Sequence, residues 1–545
     1  MVQGSSDQSA LRASIVVPVY NAGEYIESSA DSLLRQSIGT DQYEVIYVND
    51  GSTDDSGEKL DKLAAAHPHV RVHHQENSGW PGKPRNVGVR LSRGAYVQFV
   101  DQDDSLGMEA LERLCALGER NRADVVLGKV AGTMQAPSSV FAENVEVCTA
   151  DDHPLMESLT PHKMFRRSFL LDNGIEFPEG RVRLEDQLFM ARAYVAAERV
   201  SVLADYPCYY WMRREDRGNN SSARIGLSYF EDLRKVIHAV KAGTGPGEQR
   251  DKMLRRTYRV ELLTHVSEAR VLSGAPWVQE RYETIRELVA DEFAPGVAEG
   301  LAPLARLRAQ LLEEGRLDAL MALAERTKEI RPLAEVGRLR WRDGVLSAPL
   351  RLALRHADGS PVTLVERDGR LLLDPALLDG VPGLDEWDVG DPLRGAFGRL
   401  LLKDRQRPTG WFPDPKGLRV VVEDAGPGRK QVVVTGNLEI DPLVAAGGGP
   451  LERGVYDIQA SFQLLGIGRS ARITGGPPSA PTAAGTTRAG GTAAIPYWTA
   501  GGQLALDIGE FYQRMDSVRR RRWAARIPAQ VRRPLGRVLR AVKRS

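Results

Sequence analysis

Apolar runs separated by short polar breaks give the leading part of the chain a strand and helix rhythm. Ser14-Ile15-Val16-Val17-Pro18-Val19 predicts a strand, and Tyr25, Ile26, Leu33 and Leu34 then recur near helical spacing. Tyr43-Glu44-Val45-Ile46-Tyr47-Val48 predicts the next strand and 58–66 the next helix. Val70-Arg71-Val72 and Ala95-Tyr96-Val97-Gln98-Phe99-Val100 predict two more strands. This alternation implies an α/β domain built on a doubly wound parallel sheet.

Over 229–335 the pattern turns helical, with Leu254, Tyr258, Leu262 and Val266 on one face and Ile285, Leu288 and Val289 on a later one. After Trp341 it changes to alternating strands such as 418–422 and 456–462. Turns at Asp343-Gly344, Asp358-Gly359 and Asp368-Gly369 punctuate them, as in one or two small β-sandwiches. The Gly, Ala, Pro and Thr tract 475–496 reads as linker or floppy loop. The expected division is a catalytic-type α/β domain at 1–228, a helical connector at 229–335, a β-rich region at 336–475, and linker, final β segment and basic tail at 476–545.

At 545 residues the chain has length for several cores, and 73 basic against 72 acidic residues give no global reason to expect a nucleic-acid partner. The three cysteines, Cys115, Cys148 and Cys208, are odd in number and widely spaced, which argues for reduced packing residues rather than disulfides or zinc. The polar residues 1–13 carry no apolar signal core, and no later run approaches a bilayer span, so a cytoplasmic location is expected.

Two acidic motifs carry the candidate chemistry. Asp101-Gln102-Asp103-Asp104 stands at the exit of the run ending in Val100, and Glu185-Asp186-Gln187-Leu188-Phe189 opens another apolar run. Ligands of doubly wound sheets bind outside the carboxyl ends of the strands, where Asn49-Asp50 also falls. An Asp-x-Asp triplet there can hold a divalent cation, Mn2+ or Mg2+, against the two phosphates of a nucleotide-sugar. The bland alternatives are a solvated acidic turn for the first motif and an acidic helix N-terminus for the second.

Pro18-Val19-Tyr20-Asn21, Asn49-Asp50-Gly51-Ser52, Asn77-Ser78-Gly79 and Pro84-Arg85-Asn86-Val87-Gly88, with the two acidic motifs, form a series that resembles the inverting family 2 glycosyltransferases of GT-A fold. The resemblance covers roughly the leading 225 residues. It implies that Pro18, Tyr20 and Asp50 hold the nucleobase and ribose, with Asn77 and Arg85 beside the donor. Asp101 and Gln102 then contact the nucleotide-sugar, Asp103 binds the metal, and Asp186, next to Glu185, is the general base. Asn49 departs from the family pattern, which often has a second Asp there.

Read together with His162-Lys163-Met164-Phe165, the set is similar to the wall teichoic acid (polyribitol phosphate) β-N-acetylglucosaminyltransferases. That likeness implies a UDP-sugar donor (UDP-N-acetylglucosamine), a polyol-phosphate acceptor, immunoglobulin-like C-terminal domains and a homotrimer. Arg213, Arg214, Arg217 and Ser221 fall where the family places a mobile loop near donor and acceptor. The tail over 518–545, rich in arginine around Trp523, suits peripheral contact with an anionic membrane face. The alternatives are a UDP-sugar transferase for another capsule, glycolipid or surface glycan, and a non-catalytic glycan-binding scaffold.

Overall fold

The computed structural model describes residues 11–509 apart from 133, 135, 136, 138, 213–225, 408, 409, 414–416, 477–481 and 483. The expected lid residues Arg214, Arg217 and Ser221 and the basic tail lie outside the described residues.

The opening segment runs β1 (Ala13–Val19), α1 (Tyr25–Leu34), β2 (Tyr43–Asp50), α2 (Ser56–Ala66), β3 (Val70–Gln75), α3 (Gly82–Leu91), β4 (Tyr96–Phe99), β5 (Ser105–Leu106) and α4 (Ala110–Asn121). It continues with β6 (Val125–Gly132), β7 (Val145–Cys148), β8 (Met164–Arg166), α5 (Arg167–Asp172), α6 (Glu185–Ala196) and β9 (Val200–Trp211). These nine strands form one sheet in the order β3-β2-β1-β4-β8-β6-β9-β5, with β7 beside β9. β3, β2, β1 and β4 are parallel, while β8 runs against both β4 and β6. Strand order reverses at β1, since β2 lies on one side and β4 on the other, and that is where such sheets open a crevice.

Both faces of the sheet are buried, as a parallel sheet requires. Val16, Val97 and Phe99 pack toward Val89 of α3 and Leu188 of α6, whereas Ile15, Val17 and Val100 pack toward Ile26 of α1 and Leu114 of α4. Gly88 lets α3 sit directly on β1, for a Cβ there would lie 2.1 Å from Val16 Cγ1. The three cysteines are free and buried, as their spacing suggested.

Beyond the sheet come α7 (Ser228–Gly243), α8 (Glu248–Arg256), α9 (Glu268–Val271), α10 (Trp277–Glu292), α11 (Pro295–Glu299), α12 (Pro303–Glu313) and α13 (Leu317–Lys328). Leu254, Tyr258, Leu262 and Val266 are all buried in one core, as expected, but not on one α-helix. Thr257–Leu262 is a π-helical turn and Leu263–Val266 a 3-10 turn. A stripe repeating at every fourth residue drifts around a helix of 3.6 residues per turn, and a wider turn takes up the drift.

The helices stop earlier than the sequence pattern suggested. Arg331–Val336 is already a strand, pairing antiparallel with Val345–Arg355. Pro332 is tolerated because this strand lies at the sheet edge. The remainder forms two seven-stranded antiparallel sheets, one centred on Val345–Arg355 and Arg429–Ile440, the other on Phe397–Asp404 and Gly454–Leu464. They approach closely where a Cβ on Gly398 would lie 2.6 Å from Val434 Cγ1.

The 475–496 tract corrects an expectation. It contains the strand Thr487–Ala489 and most of Thr492–Trp498, joined through Gly490 and Gly491 at positive φ (55° and 82°). Ala494 and Trp498 are buried, and the second strand pairs with Leu504–Ile508. Its many Ala, Gly, Pro and Thr residues had the composition of a linker.

Candidate active site

β1, β2 and β4 end on one edge, so the residues just past them converge through backbone topology alone. Val19 registers beside Asn49, and Val16 beside Phe99. Pro18, Tyr20, Asp50 and the 101–104 run therefore share one rim. Gln102 ties two of the exits together: its Oε1 accepts from the Tyr20 N–H at 2.8 Å, and its Nε2 donates to the Tyr20 carbonyl at 3.2 Å. The Tyr20 side chain is left exposed.

Asp50 is buried and already committed to protein donors. It accepts from Gln75 Nε2 at 2.6 Å and from the Ser78 hydroxyl at 2.8 and 2.9 Å, and Asn77 Nδ2 donates to its carbonyl at 2.8 Å. This carboxylate therefore shapes the 77–79 loop. The close approach needs Gly51 at φ +70°, since a Cβ there would lie 2.6 Å from the Asn77 nitrogen. Asn49 turns away from the rim: its Nδ2 is 2.9 Å from His74 Nδ1, and its Oδ1 accepts from the Ser52 N–H at 3.2 Å. Its amide is used within the scaffold.

The two acidic motifs meet on Arg85. Helix α3 carries this arginine into the interior at 3% exposure. Its Nη1 donates to Asp186 Oδ1 and its Nη2 to Asp101 Oδ1, each at 2.8 Å, and Glu185 Oε1 stands 3.8 Å from Nη1. Expected beside a diphosphate, Arg85 has both outer nitrogens engaged by carboxylates, while its buried Nε has no hydrogen-bond partner among the described residues. Below it lies an aromatic floor, with Phe177 5.1 Å from the guanidinium carbon and stacked on Phe189 at 3.9 Å between centroids. A buried cation needs such paired carboxylates to offset its lost hydration.

The two carboxylates respond oppositely. Burial pushes the Asp186 carboxyl up to about 7, with Glu185 and Asp101 adding to the rise and Arg85 opposing it. Asp101 is partly desolvated too, its side chain 30% exposed, yet Arg85 and His162 hold it below the usual carboxylate range. Burial, with Asp101 and Asp103 nearby, raises Asp104 well above that range.

A second cluster was not assigned from the sequence. One ligand atom each from Asp101, Asp104 and His162 lie within 4.8 Å of one another, a grouping that can hold a metal ion. His162 Nε2 is 3.2 Å from Asp101 Oδ2, and its ring stacks on Tyr209 at 4.2 Å. The Tyr209 hydroxyl donates to Asp104 Oδ2 at 2.6 Å and accepts from the Asp101 N–H at 3.1 Å. The Met212 N–H donates to Asp104 Oδ1 at 2.7 Å. Asp103, the expected metal ligand, is not in this group; it lies half-buried between the two aspartates in sequence. Asp104 and His162 stood in the motifs already singled out, but nothing in their spacing, 58 residues apart, revealed that β4 and β8 pair.

Lys163 is a further buried group beside the site. Its Nζ donates to Ser158 Oγ at 3.0 Å and to the Thr160 carbonyl at 2.5 Å, and burial pushes it down to about 7, opposed by Asp186. Among the described residues, no helix is long and apolar enough to cross a membrane.

Comparison with known proteins follows the same division. The model of glycosyl transferase family 2 matches residues 14–168, and that of the glycosyl transferase TarS linker domain matches 227–324. The poly(ribitol-phosphate) beta-glucosyltransferase of Bacillus spizizenii is 36% identical over 43% of this chain, and Staphylococcus aureus TarS, a poly(ribitol-phosphate) beta-N-acetylglucosaminyltransferase, is 36% identical over 42%. The matched stretch spans 37% and 40% of the lengths of those two relatives. S. aureus TarP, also a poly(ribitol-phosphate) beta-N-acetylglucosaminyltransferase, is 30% identical over 47% of this chain and 80% of its own length. Among solved structures, S. aureus TarS 1-349 in complex with UDP-GlcNAc superposes with a TM-score of 0.55 at 24% identity, covering 70% of this chain and 99% of that one. The S. aureus TarS structure covers 91% of this chain and 85% of its own, with a TM-score of 0.50 at 20% identity. These superpositions show a shared fold, from α/β sheet through helical linker to C-terminal β region.

Proposed function

The chain belongs to glycosyl transferase family 2, and from that premise we propose that it transfers a sugar, with inversion, from a UDP-sugar to a hydroxyl of a polyol-phosphate polymer such as wall teichoic acid. The observation that carries this reading is Arg85, which gathers the Asp101 and Asp186 motifs onto one guanidinium at the carboxyl edge of parallel strands. Relatives named for poly(ribitol-phosphate) at 30–36% identity support the acceptor class. Two of those names specify N-acetylglucosamine and one glucose; we take UDP-N-acetylglucosamine as donor.

The residues fit a divalent cation. Two carboxylates and an imidazole lie close together, with His162 Nε2 3.2 Å from Asp101 Oδ2 and 3.9 Å from Asp104 Oδ2. Imidazole is a ligand for transition metals more than for magnesium, which favours Mn2+. Asp101, Asp104 and His162 would hold it, with Asp103 as the adjoining carboxylate. Such an ion, when bound, supplies positive charge against a departing diphosphate.

The chain's own groups do the rest. The rim at Pro18, Tyr20 and the loop that Asp50 shapes bind the nucleoside. Asp186 takes the proton from the acceptor hydroxyl, a weak base made stronger by burial, while Arg85 fixes the direction its other oxygen faces. Attack from the side opposite the leaving diphosphate inverts the anomeric carbon. A homotrimer and membrane contact through the basic tail complete the proposal. The test is product analysis by mass spectrometry with purified polyribitol phosphate, each of UDP-N-acetylglucosamine and UDP-glucose, and Mn2+ or chelator. A β-linked sugar on the polymer, lost with chelator, supports the reading; no transfer from either donor rejects it.

A further inference from the structure

The first turn of α6, which bears Glu185 and Asp186, is held on one side by Arg85, whose Nη1 donates to Asp186 Oδ1 at 2.8 Å. It starts after Leu184 in the left-handed region at φ 62°, and among the described residues no side chain caps it. Helix starts normally gain from a capping side chain, and a base must be held to within a fraction of an ångström. A second fastening comes from the helical connector. Gln187, one residue beyond Asp186, donates from Nε2 to Glu261 Oε1 at 2.8 Å and accepts from Arg256 Nη1 at 3.3 Å. Its amide is thus closed at both ends and held in one orientation.

Glu261 lies within the π-helical turn Thr257–Leu262 and is 8% exposed. Besides Gln187 it accepts from Arg256 Nη1 at 2.9 Å and from the Tyr229 hydroxyl. The carboxylate sits among three donors, the arrangement that makes a buried network rigid. A second link from the same turn, Arg259 to Glu157 at 2.6 Å, is a more exposed pair at 37% and 32% and adds little. We infer that Glu261 is a positioning residue for Asp186, acting through Gln187, so that the helical connector completes the catalytic geometry of the sheet. The inference rests on the transferase reading above. The widened turn then has a purpose beyond packing: it admits a buried carboxylate facing α6 while Tyr258 and Leu262 stay in the core.

The experiment measures kcat, donor KM and the kcat against pH profile of the full chain, wild type and with Gln187→Ala, Glu261→Gln and both. Each single substitution should lower kcat about tenfold with donor KM changed less than about twofold, since only orientation is lost. The acid limb should move to higher pH as Asp186 drifts from Arg85. The double variant should be no slower than the slower single, because both cut one link. Unchanged kcat and acid limb in Gln187→Ala, which removes only a half-buried amide, overturns the inference even if Glu261→Gln does not fold. Losses that multiply in the double variant overturn it as well. A wild type that transfers no sugar overturns the transferase reading instead.

Discussion

Arg85 and Asp186 are 101 residues apart in sequence and 2.8 Å apart in space, with the guanidinium donating to the carboxylate proposed as the base. The other arm of the fork holds Asp101 at the same distance. A single buried cation therefore sets both the position and the ionisation of the groups that the two acidic motifs contribute.

Replacing Asp186 with Asn keeps the shape and removes the proton acceptor. Transfer should fall by about 10²–10⁴-fold, while UDP-sugar affinity by calorimetry changes less than about threefold. Wild-type rates in this variant would remove Asp186 as the base.

Acidity gives two opposite signatures. Asp186, raised to about 7, is competent when deprotonated, so kcat should climb as pH rises through about 7 and level off above it. For stability, a raised carboxyl binds its proton more tightly in the folded state. Its contribution is full below the ordinary carboxylate range and fades as pH rises toward 7. Asp101 is held low, so its contribution is present at neutral pH and lost in acid. Thermal midpoints between pH 5 and 8 should fall less steeply in Asp186→Asn than in wild type, whereas Asp101→Asn should lower the midpoint at pH 7.

Arg85→Met leaves two carboxylates without their buried partner and should cost about 3–5 kcal/mol in denaturant unfolding. Arg85→Lys reaches one carboxylate as a point charge but has no fork for both, so it should fold better than the methionine variant and still lose most transfer. Full activity in the lysine variant would show that bridging is dispensable.

His162 offers the nitrogen ligand of the proposed cation site. His162→Gln should weaken Mn2+ binding, read by electron paramagnetic resonance, and bring Mn2+- and Mg2+-supported rates closer together. An unaltered Mn2+ affinity would place the ion elsewhere.

Gly88→Ala drives a methyl to within 2.1 Å of Val16 Cγ1, at the seam between α3 and β1. The substitution should cost about 1–3 kcal/mol of overpacking, and Val16→Ala should recover part of it. Additive destabilisation in the double variant would contradict the contact.

Strand and helix periodicity made the α/β sheet legible, and Asp343-Gly344 and Asp368-Gly369 proved to be two-residue hairpin turns with both residues at positive φ. Turn chemistry failed where the residue type was atypical. The hairpin at Leu465-Gly466 places a leucine at φ 54°, where turn chemistry expects Asn, Asp or Gly. The strands inside 475–496 were hidden because their alanine, threonine and glycine share the composition of a linker. Within the site, the acidic motifs were readable because each adjoins an apolar run, Asp101 at the exit of β4 and Glu185-Asp186 at the start of α6. Their joining through Arg85 brings together residues 101 apart in sequence, and the packing of His162 against Tyr209 beside Asp104 depends on the non-sequential sheet order β4-β8-β6-β9, which no window along the chain contains. Asp50 was rightly placed on the rim, but its engagement by Ser78 and Gln75 needed β3 in register beside β2.

Counted as charge, Asp101, Arg85 and Asp186 sum to zero when Asp186 carries a proton and to minus one when it does not. In the proposed reaction an arriving diphosphate meets the neutral trio with less repulsion, and an acceptor alcohol needs the anionic one. Near neutrality the trio stands between these two states, so a single proton, moving on and off one oxygen, reconciles welcoming an anion with activating an alcohol.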